Sequence, residues 1–582
     1  MEQWPEEFGK ALTRHDASDE LSGFLSENEE TDVLYVYEDQ LQLDVFPGEF
    51  IHKKPVLLLV ESVADARQLP FHKKKLVFEW SARRHFAIDA AKSGYRVCYA
   101  RTEQPSVDYI EKLLNHHGNI TLQVMEPAEW TPREGVLKLG TKYDERVHIL
   151  PNQFFMADPE PWKEKVRSGY RMEFFYRAMR RQTGYLMDDG SPEGGEWNYD
   201  DQNREPLPDD LDVPESTGFK PDKLTREVID EIEDRFPNHF GHTDGFTFAV
   251  TRNQALEVLD DFIDRRLVRF GPYQDAMTSG EPFLFHSLLS PYMNLGLITA
   301  REVCEAVLQA WHVTGTSSGS NKKAGTFSGR NKKAGTFSGR NKNDGSSPAG
   351  NKNGGMSSGG KNRNGLTINS VEGFIRQIIG WREYIRIYYE AMMPQVREAN
   401  YFKYDRPLPE LFWTADTDMR CMSESVQSVR DHGYAHHIQR LMVLSNFSNL
   451  TASDPHELFE WFWFGFVDAH EWVVLPNALG MSTFADGGVL ASKPYIAGGN
   501  YIRKMSDYCN GCRYKVKDRT GEDACPFNYL YWAFVDREQE QLQKNPRIGF
   551  MLKTWNRKSD MEKKEIREQA ESFISNLKRY DR

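Results

Sequence analysis

The run PVLLLVES at residues 55–62 constrains the fold more than any other stretch. A strand with one wet face alternates apolar and polar residues. A continuous apolar run of this length belongs to a strand covered on both faces, as in a parallel sheet. TDVLYVYEDQL (31–41) precedes it, with the β-branched and aromatic core of a strand. KLVFEWSARRHFAIDAAKSGYRVCYAR (75–101) reads as a helix closed by Gly94 and then a strand. SVDYIEKLLNHHG predicts a helix, ITLQVMEP a strand, REGVLKLGTKY a helix and RVHIL a strand. Strand and helix therefore alternate over residues 31–150, which predicts an α/β domain built on a doubly wound parallel sheet. Such sheets bind ligands at the carboxyl ends of their strands. No Gly-x-Gly-x-x-Gly follows the first strand, so the dinucleotide-binding fingerprint is missing.

The flanks read differently. Residues 1–30 are acidic and lack apolar periodicity, which predicts a tail. Residues 151–220 read as an interdomain linker, with Pro, Gly and Asp concentrated at 191–218. From 221 the pattern becomes helical. LTREVIDEIEDRF, ALEVLDDFIDRRLVRF and EVCEAVLQAWH carry apolar residues at i, i+3 and i+4. VEGFIRQIIGWREYIRIYYEAM (371–392) does the same, with Phe374, Ile378, Trp381, Ile385 and Tyr388 near one face. A large all-α domain over 221–582 is expected. A Gly/Ser/Asn/Lys-rich insertion at 314–366 interrupts it, and NKKAGTFSGR occurs there twice in succession, at 321–330 and 331–340. Ten Lys/Arg stand against one Asp from 321 to 363, a composition that buries nothing. The insertion reads as a disordered loop between two helices, or as a basic arm attracted to phosphates.

With 582 residues the chain is too long for one ordinary core. The net charge of −13 argues against diffuse nucleic-acid binding, although such sites are set by local patches. Aromatic residues make up 13%, an excess that suits a flat cofactor or electron-transfer groups. No apolar run reaches membrane-span length, and MEQWPEEFGK is acidic without the apolar core of a signal peptide. Six cysteines without a secretion signal predict a cytoplasmic protein whose clustered thiols bind metal or act in catalysis.

Four stretches carry chemistry. Cys509, Cys512 and Cys525 have ligand spacing in MSDYCNGCRYKVKDRTGEDACP, and Cys421 is the best fourth ligand by order. Spacing alone leaves iron–sulfur and zinc both open. In FHSLLSPYMNLGLIT (285–299), Ser287 and Ser290 precede Pro291 at a helix start, where hydroxyls and free N–H groups suit a phosphate or simply cap the helix. In GYAHHIQRLMVLSNFSN (433–449), His436 and His437 stand one turn before Arg440. Adjacent residues point about 100° apart on a helix, so the pair does not chelate one ion; one of them can face a cavity as an acid–base group. In EWFWFGFVDAHEWVVLPNALGMSTFADGG (460–488), Asp468 lies among Trp461, Trp463 and Trp472, as a carboxylate reading the N–H of a flat heterocycle would.

The order HSLLSPYMNLG, FIRQIIGWREY, AHHIQRLM, DAHEWVVLPN resembles the FAD-binding domain of photolyases and cryptochromes. The MSDYCNGCRY…DACPFN ending resembles their bacterial iron–sulfur branch, the prokaryotic (6-4) photolyases, and the likeness spans about residues 31–560 apart from the insertion. The resemblance implies light-driven repair of (6-4) photoproducts in UV-damaged DNA by a monomeric lyase, with a cryptochrome-like photoreceptor as the alternative. It implies a bent FAD contacted by Ser287, Leu288, Leu289 and Ser290, by Arg376, Trp381 and Arg382, and by Arg440 and Asp468. His436 and His437 would face the flipped-out lesion, with Tyr495 and Tyr501 lining the same pocket. Trp413 and Trp461 would carry electrons to the flavin, although Phe462 stands where a tyrosine would be the better redox partner and Val474 is apolar where relatives place a polar group near the flavin. Cys421, Cys509, Cys512 and Cys525 would hold a [4Fe–4S] cluster. Asp39, Gln40 and Glu61 match an antenna pocket for 6,7-dimethyl-8-ribityllumazine, with Glu38 replacing the usual glycine. Asp200 and Asp275 are candidate ligands of Mg²⁺ near the lesion, and HKKK (72–75) and RAMRR (177–181) are candidate phosphate contacts.

Overall fold

The computed structural model describes residues 3–25, 30–208, 210–312 and 365–580. Up to residue 364, the basic insertion expected at 314–366 lies outside the described residues. Six parallel strands form the N-terminal sheet: β1 (Ala17–Ser18), β2 (Thr31–Tyr35), β3 (Val56–Ser62), β4 (Val97–Thr102), β5 (Ile120–Met125) and β6 (Val147–Leu150). Their order is β1-β4-β3-β2-β5-β6. Every residue of β3 is buried, as its unbroken apolar run requires. Leu57 and Leu59 face the core shared with the helix Lys73–Lys92, while Val56, Leu58 and Val60 face the helices Ser106–His116 and Trp130–Lys142. Each such side chain contributes on the order of 1.5–3 kcal/mol.

Two expectations fail at the edges of this sheet. Of the acidic stretch expected as a tail at 1–30, residues 3–25 are part of the fold. A helix Glu6–Leu12 buries Phe8 and Leu12, Trp4 Nε1 donates to the Tyr99 carbonyl at 2.9 Å, and β1 pairs with β4. The Glu227 carboxylate accepts the first backbone N–H groups of that helix, from Glu7 and Phe8. A helix held by two apolar anchors in an acidic background shows no periodicity to read. Within the linker expected at 151–220, two α-helices form instead. Helices Glu160–Arg167 and Met172–Thr183 pack on the second domain and bury Val166, Phe175, Tyr176 and Met179. RAMRR is largely engaged within this strap, although Arg181 stays exposed. Arg180 is buried against the Leu186 and Trp197 carbonyls, Arg181 lies over the Trp197 ring, and Arg177 pairs with Glu173.

From Lys223 onward every named element is helical. Four segments widen into π-helix: Phe262–Arg266, Arg376–Arg382, Gln439–Ser445 and Pro476–Ser482. Such widenings re-aim side chains and recur at functional sites. HKKK, expected at the surface, joins the domains instead. Lys73, Lys74 and Lys75 are buried. Lys73 pairs with Glu233, Lys74 Nζ donates to the Asp431 carbonyl, and Lys75 Nζ to the Ala469 carbonyl. His72 N donates to the Phe464 carbonyl at 2.7 Å. Its Nδ1 accepts from Lys74 N, so Nε2 carries the proton toward the Arg430 carbonyl at 3.0 Å.

Candidate functional site

Three residues from three distant segments meet at one point. Arg440 Nη2 lies 3.0 and 3.1 Å from the two Asp468 oxygens, and Ser290 Oγ donates to Asp468 Oδ2 at 2.7 Å. Arg440 Nε donates to the Ala435 carbonyl, and its guanidinium sits 4.1 Å over the Phe466 ring. Asn294 anchors the backbone of Asp468 through a 2.9 Å bond to its carbonyl. Leu288, two residues before Ser290, takes φ +58°, a left-handed conformation that costs a leucine on the order of 1–3 kcal/mol. Leu289 points into the core, and Ser287 Oγ accepts its own turn's Leu289 N–H at 3.4 Å.

His436 and His437 come next along the Arg440 segment. His436 is 2% exposed, and neither ring nitrogen has a hydrogen-bond partner among the described residues. It stacks on His286 with centroids 4.6 Å apart and planes at 17°. His286 Nε2 also lacks a partner. Sequence reasoning misses His286, because nothing in FHSLLSP singles out a histidine that pairs across the fold. His437 lies deep in the domain, yet unlike His436 it keeps accessible surface. Burial and then the Arg440 charge hold it down to about 4. Burial, the neighbouring imidazoles and Arg440 hold His436 well below the ordinary histidine value.

Arg376, Trp381 and Arg382 share one π-helical segment but do not converge on Asp468. Arg376 is buried and reaches Asp200 Oδ1 at 3.1 Å and Glu372 at 3.4 Å. Arg382 lies 4.5 Å over the Phe155 ring and 5.2 Å over Trp472, donating to Glu383 at 3.2 Å. Trp381 is half-buried against the core. Several buried polar atoms on these elements lack a hydrogen-bond partner among the described residues: His286 Nε2, Arg382 Nε, both His436 nitrogens and Ser445 Oγ. An unpaired buried polar group costs about 1–3 kcal/mol, so these segments fit a polar ligand such as a flavin.

Tyr495 and Tyr501 are half-buried beside Arg204, Asp200 and Asp275. Asn446 and Ala497 exchange hydrogen bonds, which ties the 495–501 stretch to the helix following Arg440. Asp200 and Asp275 do come together, but around the Arg204 guanidinium, and Asp200 also pairs with Arg376. Burial pushes the Asp275 carboxyl up to about 6, and Arg204 offsets part of that. The two carboxylates thus serve as ion-pair partners, and among the described residues no three His, Cys, Asp or Glu side chains are grouped to hold a metal ion.

Trp461 is fully buried, its indole N–H on the Phe412 carbonyl at 2.9 Å. Its ring meets Phe466 edge-on at 5.8 Å, Phe462 at 5.5 Å and Phe412 at 5.2 Å. Trp413 follows Phe412 and stacks flat on Tyr580, 4.6 Å apart with an interplanar angle of 1°. Aromatic rings therefore run from the Phe466 face under Arg440 to a partly exposed tyrosine near the C-terminus.

The antenna candidates divide. Asp39 and Gln40 are buried after β2, and Asp39 Oδ1 and Gln40 Oε1 have no partner. Burial pushes the Asp39 carboxyl up to about 6, against the pull of His470. Their loop abuts the Ser290–Asn294 helix: Leu41 N donates to the Leu295 carbonyl, and a Cβ on Gly296 would lie 2.6 Å from the Asp39 carbonyl oxygen. Glu61 is different. Its oxygens accept from Arg84 Nε at 2.9 Å and Nη2 at 2.7 Å, Arg101 Nε at 2.9 Å and Tyr99 OH at 2.6 Å. Nothing remains for a chromophore, so Glu61 is a structural residue; a VES triplet in sequence does not reveal arginines one strand and one helix away.

The four cysteines assemble. Cys421 lies on the helix Arg420–His432, Cys509 and Cys512 in a turn, and Cys525 at the start of the helix Pro526–Arg537. All four line one apolar void with Ile502, Tyr508 and Phe527. Gly499 makes room for it, since a Cβ there would sit 2.7 Å from Cys525 Sγ. Burial and then the neighbouring thiols push Cys421 well above the ordinary thiol value. Cys98 and Cys304 are buried elsewhere, in β4 and in the helix Ala300–His312.

The sequence profile of the family described as deoxyribodipyrimidine photo-lyase-related protein matches residues 34–248. Over 547 residues the chain is 39% identical to a (6-4) photolyase of Agrobacterium fabrum, across 93% of this chain and 98% of that one. The fold is similar to a bacterial class III photolyase from Agrobacterium tumefaciens, with TM-score 0.51, 14% identity, and 95% and 98% of the two chains covered. It is similar also to a cryptochrome from Synechocystis sp., with TM-score 0.51, 12% identity, and 89% and 95% covered. Identities that low speak for the fold alone. The 39% relative is matched nearly end to end, and on that ground the chain belongs to the photolyase/cryptochrome family, on the branch of the bacterial (6-4) photolyases.

Proposed function

We propose that this protein is a light-driven (6-4) photolyase that uses FAD, acts as a monomer in the cytoplasm, and repairs (6-4) pyrimidine–pyrimidone photoproducts in UV-damaged DNA. The observation that carries the reading is the 39% identity over 93% of the chain to a protein of that name, joined to the adjacent His436, buried, and His437, exposed, beside Arg440. Among the described residues, no helix is long and apolar enough to cross a membrane. A lesion inside a duplex cannot reach a buried pocket, so it is flipped out, as photolyases do as a class. Extruding a badly stacked pair costs less than extruding a sound one, which supplies part of the selectivity.

Bound in its reduced form and excited by light, the flavin supplies the electron. The residues of the chain do the rest. Asp468, fixed by Arg440 and Ser290, presents a carboxylate that reads an N–H of the bound heterocycle. Tyr495 and Tyr501 wall the lesion. His437, with accessible surface, or His436 behind it gives a proton to the photoproduct. Both are held neutral beside Arg440 in the free protein, so an anionic phosphate arriving in the pocket raises their affinity for the proton they must donate. Trp461 and Trp413 provide the electron path that keeps the flavin reduced.

Asp39 and Gln40 support a lumazine antenna, through their unpartnered buried oxygens. Four thiols around a void support a [4Fe–4S] cluster, which joins the Cys421 helix to the C-terminal helices. The test is illumination of purified protein with oligonucleotides carrying a (6-4) or a cyclobutane lesion, with restored thymines measured by chromatography. His437→Ala should slow (6-4) repair by about 10²–10⁴ with flavin photoreduction intact. Unchanged repair in that variant, or no repair by the wild type, refutes the assignment. The cryptochrome-like reading, favoured by the Synechocystis fold alone, expects photoreduction without repair.

A further inference from the structure

The segment 541–559, QLQKNPRIGFMLKTWNRKS, holds five cations and no acid in a chain of net charge −13. Elsewhere in the fold, cations such as Arg84, Arg101, Arg376 and Arg440 close ion pairs. Lys544, Arg547, Lys553 and Arg557 are exposed and have no carboxylate partner among the described residues. In their midst Phe550 is 79% exposed, more than any other large hydrophobic side chain among the described residues.

This is a rigid display. Leu542, Ile548 and Trp555 are buried, and Trp555 Nε1 donates to Asp536 at 2.8 Å. Phe550 follows Ile548 by two residues, at the start of the helix Gly549–Asn556, so its backbone is pinned while its ring projects outward. The segment also borders the tyrosine wall. Asn545 Nδ2 donates to the Ser492 carbonyl at 3.0 Å, three residues before Tyr495, and Arg547 lies within electrostatic range of Tyr495 itself.

We propose that this segment is the duplex-contacting edge of the lesion pocket. Lys544, Arg547 and Lys553 grip phosphates beside the lesion, and Phe550 inserts against the bases exposed when the lesion flips out. The inference rests on the DNA-repair reading and adds to it a named surface with two separable roles. Cations on a face bind any phosphate backbone and carry no sequence or damage information. An exposed ring on a fixed backbone stacks on a base only where the helix has been opened. Charge complementarity argues for nucleic acid over a protein partner, since a net-negative protein leaves few other reasons to keep four cations unpaired beside its pocket.

The experiment is fluorescence anisotropy in the dark, using a labelled duplex with one (6-4) lesion and its undamaged twin, across a salt series. Arg547→Ala/Lys553→Ala should weaken both duplexes alike and lower the slope of log K against log[salt] by about 1.8, near 0.9 for each phosphate no longer neutralised. Phe550→Ala should leave the undamaged duplex unaffected but cut the preference for the lesion about tenfold, the scale of a single base–aromatic stack. Phe550→Trp should restore it. Lys564→Ala, on the helix Asp560–Ser575, should change nothing. Wild-type preference retained in Phe550→Ala, or an unchanged salt slope in the double variant, overturns the proposal while leaving the repair reading intact. Failure of the wild type to prefer the lesion overturns both. Thermal unfolding of each variant checks that the fold survives.

Discussion

Glu61 and Asp39 make opposite predictions. Glu61→Gln keeps the shape of the side chain and removes its charge. Burial alone would raise the Glu61 carboxyl, but the charge and hydrogen bonds of Arg84, then Arg101 and Tyr99, hold it well below its ordinary value of 4.5. Neutralising it leaves two buried guanidiniums with Glu231 as their remaining carboxylate. Breaking a buried pair in this way costs about 3–5 kcal/mol. Unfolding entropy of about 2.1 cal/mol/K per residue converts that cost into a Tm drop of roughly 10–15 °C if a domain of about 150 residues melts alone, and roughly 3–5 °C if some 500 residues melt together. Differential scanning calorimetry reads the drop and decides which unit is cooperative. The effect should depend on pH with a definite sign. A carboxyl held below 4.5 stabilises the fold above that value, so the gap between wild type and Glu61→Gln narrows as pH falls through it. Antenna absorbance per folded molecule should be unchanged. Asp39→Asn should do the reverse, leaving Tm near wild type and removing the antenna band. A stable Glu61→Gln protein that has lost its chromophore would refute the reasoning.

The other predictions concern the remaining sites. His437→Ala should slow (6-4) repair by about 10²–10⁴, the range of a positioned general acid. In the wild type, repair should rise as pH is lowered toward 6.5, because a histidine held near 4 is almost wholly neutral at pH 7; a flat profile counts against it as the donor. The same shift makes the fold itself less stable below 6.5, where the unfolded chain binds protons that folded His436 and His437 resist. Cys421→Ser should lose iron and the broad iron–sulfur absorbance and lower Tm by several degrees, as removal of a structural metal centre does; zinc found in place of iron by elemental analysis would refute the cluster. Replacing residues 316–362 by a short Gly/Ser linker should leave repair intact and raise stability by on the order of 1–2 kcal/mol, because the helices Ala300–His312 and Ile368–Ile375 pack together and a shorter closure loses less entropy. A drop in DNA affinity would show the basic insertion to be a working arm.

Much of the architecture is legible in the sequence because it is local. PVLLLVES announces a strand with two covered faces, and β3 has them. Cys421 joins Cys509, Cys512 and Cys525 because thiols have few other reasons for such spacing. Ser290, Arg440 and Asp468, from three separate motifs, meet within 3.1 Å. What stays hidden depends on distant partners. HKKK reads as a wet basic patch until Asp431, Ala469 and Glu233 arrive to bury it. β1 is two residues long and owes its existence to β4. Glu61 looks like any strand-end carboxylate until two arginines saturate it. The π-helical widenings under Arg376 and Arg440 have no periodicity of their own, and His286 gains its meaning only from the ring stacked on it.

Apart from the Lys73–Glu233 pair, the bolt between the domains reads backbone rather than side chains on its helical side. His72, Lys74 and Lys75 grip the carbonyls of Phe464, Arg430, Asp431 and Ala469, which every amino acid offers alike. Substitution of the residues that offer those carbonyls is little constrained by the bonds themselves, although Gly241 and Gly433, both beside His72, leave no room for a Cβ, whereas a single inserted or deleted residue between 430 and 469 shifts the carbonyls out of reach. Chimaeras that graft the sheet domain of one relative onto the helices of another should therefore tolerate sequence drift across the joint far better than they tolerate changes in segment length.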